Sequence, residues 1–132
     1  MDKIAVIDDD PSIVEVFSQT LTFFGYDTCT FTDPAVALAS LPCEDPAPSL
    51  ILLDLMMSPI TGLQFLEEQK KSTSINGIPV IIVSAWDLPP EDRQRFGGVI
   101  ADVIRKPVHP RDLAGCIQTA LDREKTGSAD HQ

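Results

Sequence analysis

Polar side chains follow four short apolar runs of the chain. They are Asp8 and Asp9 after IAVI, Asp54 after LILL, Ser84 after VIIV, and Lys106 after VIADVIR. Apolar runs without polar alternation are typical of strands that are buried on both faces of a parallel sheet. In such sheets the functional groups gather beyond the carboxyl ends of the strands. We therefore expect these side chains, although far apart in the chain, to meet at one edge of a sheet.

The three carboxylates would repel one another at that edge, by roughly 1–4 kcal/mol per pair at ~4 Å, and a divalent cation would remove this cost. Mg²⁺ takes oxygen ligands and often binds phosphate oxygens as well. Lys106 would add a mobile positive charge and Ser84 a hydroxyl donor. A carboxylate held in this way can attack phosphorus and form an acyl phosphate. Because Asp54 lies in the apolar segment LILLDLMM, where an unpaired charge is costly, it is the candidate nucleophile.

The composition indicates one acidic domain. The chain has 132 residues and a formal net charge of -10, which argues against a nucleic-acid surface because that needs a basic footprint. Its three cysteines, Cys29, Cys43 and Cys116, have no CxxC spacing, so we interpret them as small apolar fillers in a reducing compartment. No apolar segment has the length of a membrane helix, and the N-terminus has no secretory pattern. We expect a cytoplasmic protein.

The segments between the apolar runs have helical periodicity. The predicted helices begin near Pro11, Pro34, Gly62, Pro89–Pro90 and Pro110, and proline is tolerated in a first helical turn. Asp10 is the expected N-cap of the first helix. The residues expected to face inward are Ile13, Val14, Phe17, Leu21, Phe24, Ala35, Leu38, Leu41, Leu63, Leu66, Leu113, Ile117, Ala120 and Leu121. With a weaker strand at TCTF, strand and helix alternate five times, which predicts an α/β fold with a parallel sheet between helices.

These motifs resemble the receiver domain of two-component response regulators. The matching segments are DD after the first strand, LLDLMM, SA after the fourth strand and KP after the fifth, in order and in spacing. The resemblance implies a flavodoxin-like, doubly wound five-stranded parallel sheet of order 2-1-3-4-5, with helices on both faces. It extends from Lys3 to Lys125. We therefore assign the receiver domain to residues 1–125 and a flexible tail to residues 126–132, where the apolar periodicity ends.

The resemblance also implies the role of each site residue. Asp54 is the implied phosphoacceptor, and Ser84 and Lys106 are implied to bind the phosphoryl group. The implied ligands of Mg²⁺ are Asp8, Asp9, Asp54 and the backbone carbonyl of Met56. The Lys106–Pro107 peptide bond is implied to be cis.

The implied function is signalling rather than turnover of a separate substrate. The phosphoryl group would come from a histidine kinase or a histidine phosphotransfer protein, and the domain would catalyse its own phosphorylation and slow dephosphorylation. The change would spread to the surface of the fourth helix, fifth strand and fifth helix, which carries the mixed-charge segments EDRQRF and PRDL. A downstream effector protein or a second copy of the chain is expected to bind there. Neither direct nucleic-acid binding nor membrane binding is expected.

Three features depart from the family pattern. Val103 replaces the aromatic residue whose inward swing accompanies phosphorylation in the family. Ser58 takes the place of a proline, which is displaced to Pro59. Met56 and Trp86 occupy the positions that flank the phosphoryl group, and both are large and apolar. We expect them to hinder an in-line water and to make the phosphorylated form long-lived.

Two alternatives belong to other functional classes. A haloacid dehalogenase-type phosphatase also forms an aspartyl phosphate, but it needs a second aspartate two positions after the nucleophile, where this chain has Met56. A degenerate, flavodoxin-like protein-interaction module would act without phosphorylation. Such a module would have lost one of the five polar site residues, and this sequence keeps all of them. A flavin site would favour a glycine- or hydroxyl-rich loop in place of DDDPS.

Overall fold

The apolar runs form one parallel sheet. The structure is a computed structural model that describes residues 2–130, with side chains described up to residue 124. The five strands are β1 (Lys3–Ile7), β2 (Asp27–Phe31), β3 (Leu50–Leu53), β4 (Val80–Ser84) and β5 (Ile100–Arg105). All pair in parallel in the order β2-β1-β3-β4-β5, which confirms the predicted flavodoxin-like arrangement. Every residue of β3 and β4 is buried, as their continuous apolar sequences predict.

The helices begin at the predicted residues. They are α1 (Pro11–Phe23), α2 (Pro34–Ser40), α3 (Gly62–Lys71), α4 (Pro90–Arg95) and α5 (Pro110–Asp130), with a short 3₁₀ turn at Leu41–Cys43. The predicted N-cap at Asp10 is confirmed, because its carboxylate accepts a hydrogen bond from the Ser12 amide at 2.9 Å. Among residues 2–130, no helix has both the length and the apolar composition needed to cross a lipid bilayer.

The sheet separates two layers of core packing. Alternate residues of each strand point to opposite layers: in β1, Ala5 and Ile7 face α2 and α3, whereas Ile4 and Val6 face α1 and α5. Burial of each isoleucine or valine side chain among them contributes roughly 1.5–3 kcal/mol. Helices on both faces explain why β3, and β4 before Ser84, carry no polar residue.

Some predicted inward positions are wrong. Phe24 is 43% exposed because α1 ends one residue earlier and Phe24 is already the C-cap. Ala35 is exposed, because α2 begins at Pro34 and turns Pro34 and Ala37 toward the sheet instead. Cys43 is exposed and therefore not a core filler, whereas burial raises the pKa of the Cys29 thiol to about 11.

The predicted flexible tail, residues 126–132, lies at the end of α5. The backbone of α5 is described to Asp130, but the side chains from residue 125 onward and residues 131–132 lie outside the described part of the chain. The tail therefore stays a prediction.

Gly62 brings the start of α3 against the end of β3. Its amide donates to the Leu55 carbonyl at 2.8 Å, and a capping box between Thr61 and Gln64 fixes the first turn of the helix. A Cβ atom at position 62 would collide with the backbone carbonyl oxygen of Asp54 and with the Cα of Leu55. The absence of a side chain at Gly62 thus sets the path of the chain directly after Asp54.

We expect Gly62→Ala to lower the free energy of unfolding by about 1–3 kcal/mol, because the added methyl group meets backbone atoms that cannot rotate away. Urea denaturation measures the change. The matched control is Gly77→Ala, whose Cβ would meet no atom within 4 Å, and which should stay within about 0.5 kcal/mol of the wild type. Equal midpoints for the two variants would contradict the steric explanation.

Candidate functional site

Three aspartates meet at the carboxyl-terminal edge of the sheet. Ile7 and Leu53, the last residues of β1 and β3, are register partners, so Asp8 and Asp54 leave neighbouring strands side by side. The Asp54 amide donates to the Ile7 carbonyl at 3.2 Å, which continues the ladder to the site itself. One carboxylate oxygen each from Asp8, Asp9 and Asp54 lies within 4.8 Å of the others. The structure therefore brings the three predicted acids together.

The acids differ in burial. Asp8 is 3% exposed and Asp54 is 7% exposed, whereas Asp9 is open to solvent. The Asp8 carboxylate accepts from the Asp10 amide at 3.0 Å, and the Asp54 carboxylate accepts from the Met56 amide at 3.3 Å. Each buried carboxylate is thus oriented by a backbone N–H of the loop that follows it, while Asp9 is left at the solvent side of the cluster.

Lys106 joins the two buried acids. It follows the last residue of β5, and its amide donates to the Ser84 carbonyl at 2.9 Å. Its Nζ donates to Asp8 Oδ2 at 2.6 Å and to Asp54 Oδ2 at 3.3 Å. The lysine side chain is itself only 18% exposed, so these contacts are shielded from water better than a surface ion pair.

The electrostatic balance of the cluster remains negative. Burial raises the pKa of the Asp8 carboxyl above its ordinary value, and the hydrogen bond from Lys106 opposes this rise without cancelling it. Burial also favours the neutral amine of Lys106, but the hydrogen bond and charge of Asp8, together with Asp54, outweigh this effect and raise the pKa of the lysine. One ammonium group therefore stabilises the acids only in part. A cluster of carboxylate oxygens with excess negative charge fits a hard divalent cation such as Mg²⁺.

Ser84 lies beside this cluster at the end of β4 and is 1% exposed. Its hydroxyl oxygen accepts a hydrogen bond from the Trp86 amide at 3.2 Å. The side chains of Trp86 and Met56 are 61% and 51% exposed, on the loops that leave β4 and β3. Two large apolar side chains that the core does not cover thus lie on the loops that follow Asp54 and Ser84.

The remaining predicted positions lie on the β5 side of the site and on the loop after β3. Val103 is half-buried and packs against the core layer that contains α2 and α3. The Lys106–Pro107 and Ser58–Pro59 peptide bonds are both cis. The role of the Met56 carbonyl as a metal ligand stays a prediction.

Sequence reasoning missed the contacts of Arg105. Its Nε donates to the Ala85 carbonyl at 3.1 Å, and its Nη1 donates to the Asp87 carboxylate at 2.6 Å. Arg105 and Asp87 are separated by 18 residues, and neither belongs to a motif. Arg105 and Asp87 could have been predicted to lie close together only from the register of β4 and β5, in which Ser84 pairs with Arg105.

Comparisons with known proteins agree with this geometry. Residues 4–118 match the family model of the response regulator receiver domain. A curated relative, "Probable transcriptional regulator ycf27" of Porphyridium aerugineum, is 31% identical over 133 residues, which cover 98% of this chain and 52% of that protein. The chain spans about half the length of most of the curated relatives that it matches.

Solved structures show the same architecture. A CheY-like response regulator receiver domain protein from Methanospirillum hungatei JF-1 has a TM-score of 0.83 at 28% identity, covering 96% of this chain and 98% of that chain. The N-terminal domain of a response regulator receiver protein from Methanoculleus marisnigri JR1 has a TM-score of 0.73 at 36% identity, covering 89% and 94%. The motifs, the strand order, the acid cluster and these matches lead to one conclusion: the chain belongs to the response regulator receiver domain family, a family of signalling domains.

Proposed function

We propose that the chain accepts a phosphoryl group on Asp54 from the phosphohistidine of a histidine kinase or histidine phosphotransfer protein. The observation that supports this most strongly is the position of Lys106, whose ammonium group bonds both buried acids while Asp9 stays open beside them. A structural ion pair would need one carboxylate. Three carboxylates around one lysine leave excess negative charge that an added cation would balance at neutral pH.

The acid cluster would hold Mg²⁺. The proposed ligands are Asp8, Asp9, Asp54 and the backbone carbonyl of Met56. When bound, Mg²⁺ supplies positive charge that stabilises the phosphoryl oxygens during transfer. Asp8 is already fixed by Lys106 and by the Asp10 amide, so it offers a preoriented ligand. Asp9, which is exposed, would complete the ligand set without further rearrangement of the core.

The protein contributes little covalent chemistry to the reaction beyond the attacking carboxylate. A carboxylate oxygen of Asp54 attacks phosphorus, a P–O bond forms, and the P–N bond to the donor imidazole breaks. The electron pair of that bond stays on the imidazole nitrogen, which takes a proton from solvent. Lys106 Nζ, already beside Asp54, stabilises the negative charge of the transferred group. In the slow dephosphorylation, water attacks phosphorus, the bond between phosphorus and the Asp54 oxygen breaks, and inorganic phosphate leaves the free carboxylate behind.

The phosphorylated state would be read at the surface formed by α4, β5 and α5. The Ser84 hydroxyl would donate a hydrogen bond to the new phosphoryl group. Residues 85–89, which form the β4–α4 loop, would move with Ser84. Val103 has no ring to rotate, so the loop and α4 would carry the change. A downstream effector protein or a second copy of the chain would bind the altered surface.

Phosphorylation on Asp54 is the first prediction for this function. Incubation with acetyl phosphate and Mg²⁺ should add one phosphoryl group to the wild type, measured by intact mass spectrometry, and none to Asp54→Asn. The control Asp45→Asn removes the same charge from an exposed loop and should be phosphorylated normally. A wild type that gains no phosphoryl group would favour the interaction module that acts without phosphate.

The raised pKa of Asp8 predicts that its charge destabilises the metal-free protein. A carboxyl whose pKa is higher in the folded state stabilises the fold when it is protonated, and this contribution is lost as the pH rises through the raised pKa. In EDTA at pH 7, Asp8→Asn should therefore unfold at a higher temperature than the wild type. The difference should shrink with falling pH and vanish below the ordinary pKa of 3.8, where Asp8 is neutral in both states.

Mg²⁺ should raise the unfolding temperature of the wild type more than that of Asp8→Asn, because the variant lacks one ligand. Differential scanning calorimetry measures both effects, with Asp45→Asn as the control for a lost surface charge. If Asp8→Asn were less stable than the wild type in EDTA at pH 7, the proposed charge imbalance would be wrong.

The exposed apolar side chain of Met56 predicts a slow loss of the phosphoryl group. Met56→Asn should speed hydrolysis of the phosphorylated protein, because the thioether side chain hinders an in-line water and an amide can orient one. Decay after removal of the donor, followed by intact mass, gives the rate. Val36→Asn changes a residue of equal exposure, 51%, on α2, and should leave the rate unchanged. Equal decay of Met56→Asn and the wild type would exclude this role.

A further inference from the structure

The guanidinium group of Arg105 holds the β4–α4 loop at two points. Nε bonds the Ala85 carbonyl oxygen at 3.1 Å, and Nη1 bonds the Asp87 carboxylate at 2.6 Å. Arg105 is the last residue of β5 and the register partner of Ser84 at the end of β4. The arginine therefore anchors the loop to the sheet immediately after Ser84.

A third contact connects this anchor to Ser84. Trp86, which lies between the two anchored residues, donates its amide N–H to the Ser84 hydroxyl oxygen at 3.2 Å. The position of the loop thus fixes the direction in which the Ser84 hydroxyl points. Ser84 is 1% exposed, and the hydrogen bond from Trp86 couples a turn of its side chain to a movement of the loop.

We propose that Arg105 is a latch that holds the β4–α4 loop in its resting position and opposes the movement of Ser84 toward a phosphoryl group on Asp54. This inference rests on the proposed function. Movement of the Ser84 side chain draws Ala85 and Asp87 away from β5, while Arg105 stays with the sheet as the last residue of β5. The two guanidinium contacts are then lost, and their loss is part of the cost of switching.

The contact between Arg105 and Asp87 is exposed to water, as expected for a contact that breaks during switching. The side chains of Arg105 and Asp87 are 63% and 79% exposed, so water can replace each partner when they separate. An exposed pair of this kind biases a two-state equilibrium only weakly, by a factor of about 1.5 to 5. Val103 is half-buried and has no ring whose rotation could accompany movement of the β4–α4 loop.

The sign of the effect separates a latch from simple electrostatics. Arg105 is a cation near an anion-binding site, so its removal should weaken anion binding through loss of attraction. Removal of a latch should instead strengthen binding of any group that requires the moved loop. Tighter binding in an Arg105 variant therefore identifies the latch.

The test uses beryllofluoride with Mg²⁺ as a stable mimic of the phosphoryl group, titrated into the isotope-labelled chain and followed by amide chemical shifts. Arg105→Ala should bind it about 1.5- to 5-fold more tightly than the wild type. Arg111→Ala is the matched control: it removes the same charge at the start of α5, and it should bind equally or more weakly. Asp87→Ala should resemble Arg105→Ala, and the double variant should add no further gain.

A second readout needs no bound ligand. In the free protein, the amide hydrogens of Trp86 and Asp87 should exchange faster in Arg105→Ala than in the wild type, because the loop has lost its anchor. Unchanged exchange, or equal or weaker beryllofluoride binding by Arg105→Ala, would overturn the latch. Failure of the wild type to bind beryllofluoride would instead overturn the proposed function, and the exchange rates would still decide whether Arg105 holds the loop.

Discussion

Repulsion among carboxylates at one edge of the sheet is the constraint on which the rest of this site depends. Parallel pairing of β1 with β3 forces Asp8 and Asp54 to leave the sheet side by side, and both are almost completely buried. Lys106 reaches both acids but balances only part of their charge, as the raised pKa of Asp8 indicates. The fold thus keeps an energetically unfavourable cluster, and in the proposed function a bound cation would convert that cost into affinity and reactivity.

Much of this arrangement could be predicted from the sequence. The uninterrupted apolar runs indicate strands covered on both faces, and the polar residue after each run follows from the carboxyl-edge rule for parallel sheets. Helix faces were less predictable: Ala35 and Phe24 fit a helical period, yet α2 is short and α1 ends before Phe24. Contacts such as Arg105 with Asp87, or Gly62 against Asp54, depend on the exact path of loops, which no local pattern encodes.

The departures from the family pattern point to one physical theme. Val103 removes the aromatic ring that accompanies switching elsewhere in the family, whereas Met56 and Trp86 place large apolar groups at the rim. The β4–α4 loop then combines three features: the proposed movement of Ser84, the exposed side chain of Trp86 and the hydrogen bonds from Arg105. Control of signalling in this chain would rest on weak, solvent-exposed contacts that can be broken and re-formed, rather than on repacking of a buried ring.

In the proposed function, the acid cluster makes Asp54 reactive only when a cation balances its charge. The most direct test measures the rate of phosphorylation by acetyl phosphate as a function of Mg²⁺ concentration, in the wild type and in Asp9→Asn, which alters an exposed acid and leaves the core contacts intact. We expect the rate to saturate with Mg²⁺ in the wild type and to need higher Mg²⁺ concentrations in the variant. A rate that is independent of Mg²⁺, or identical in the two proteins, would contradict the proposed dependence on a cation.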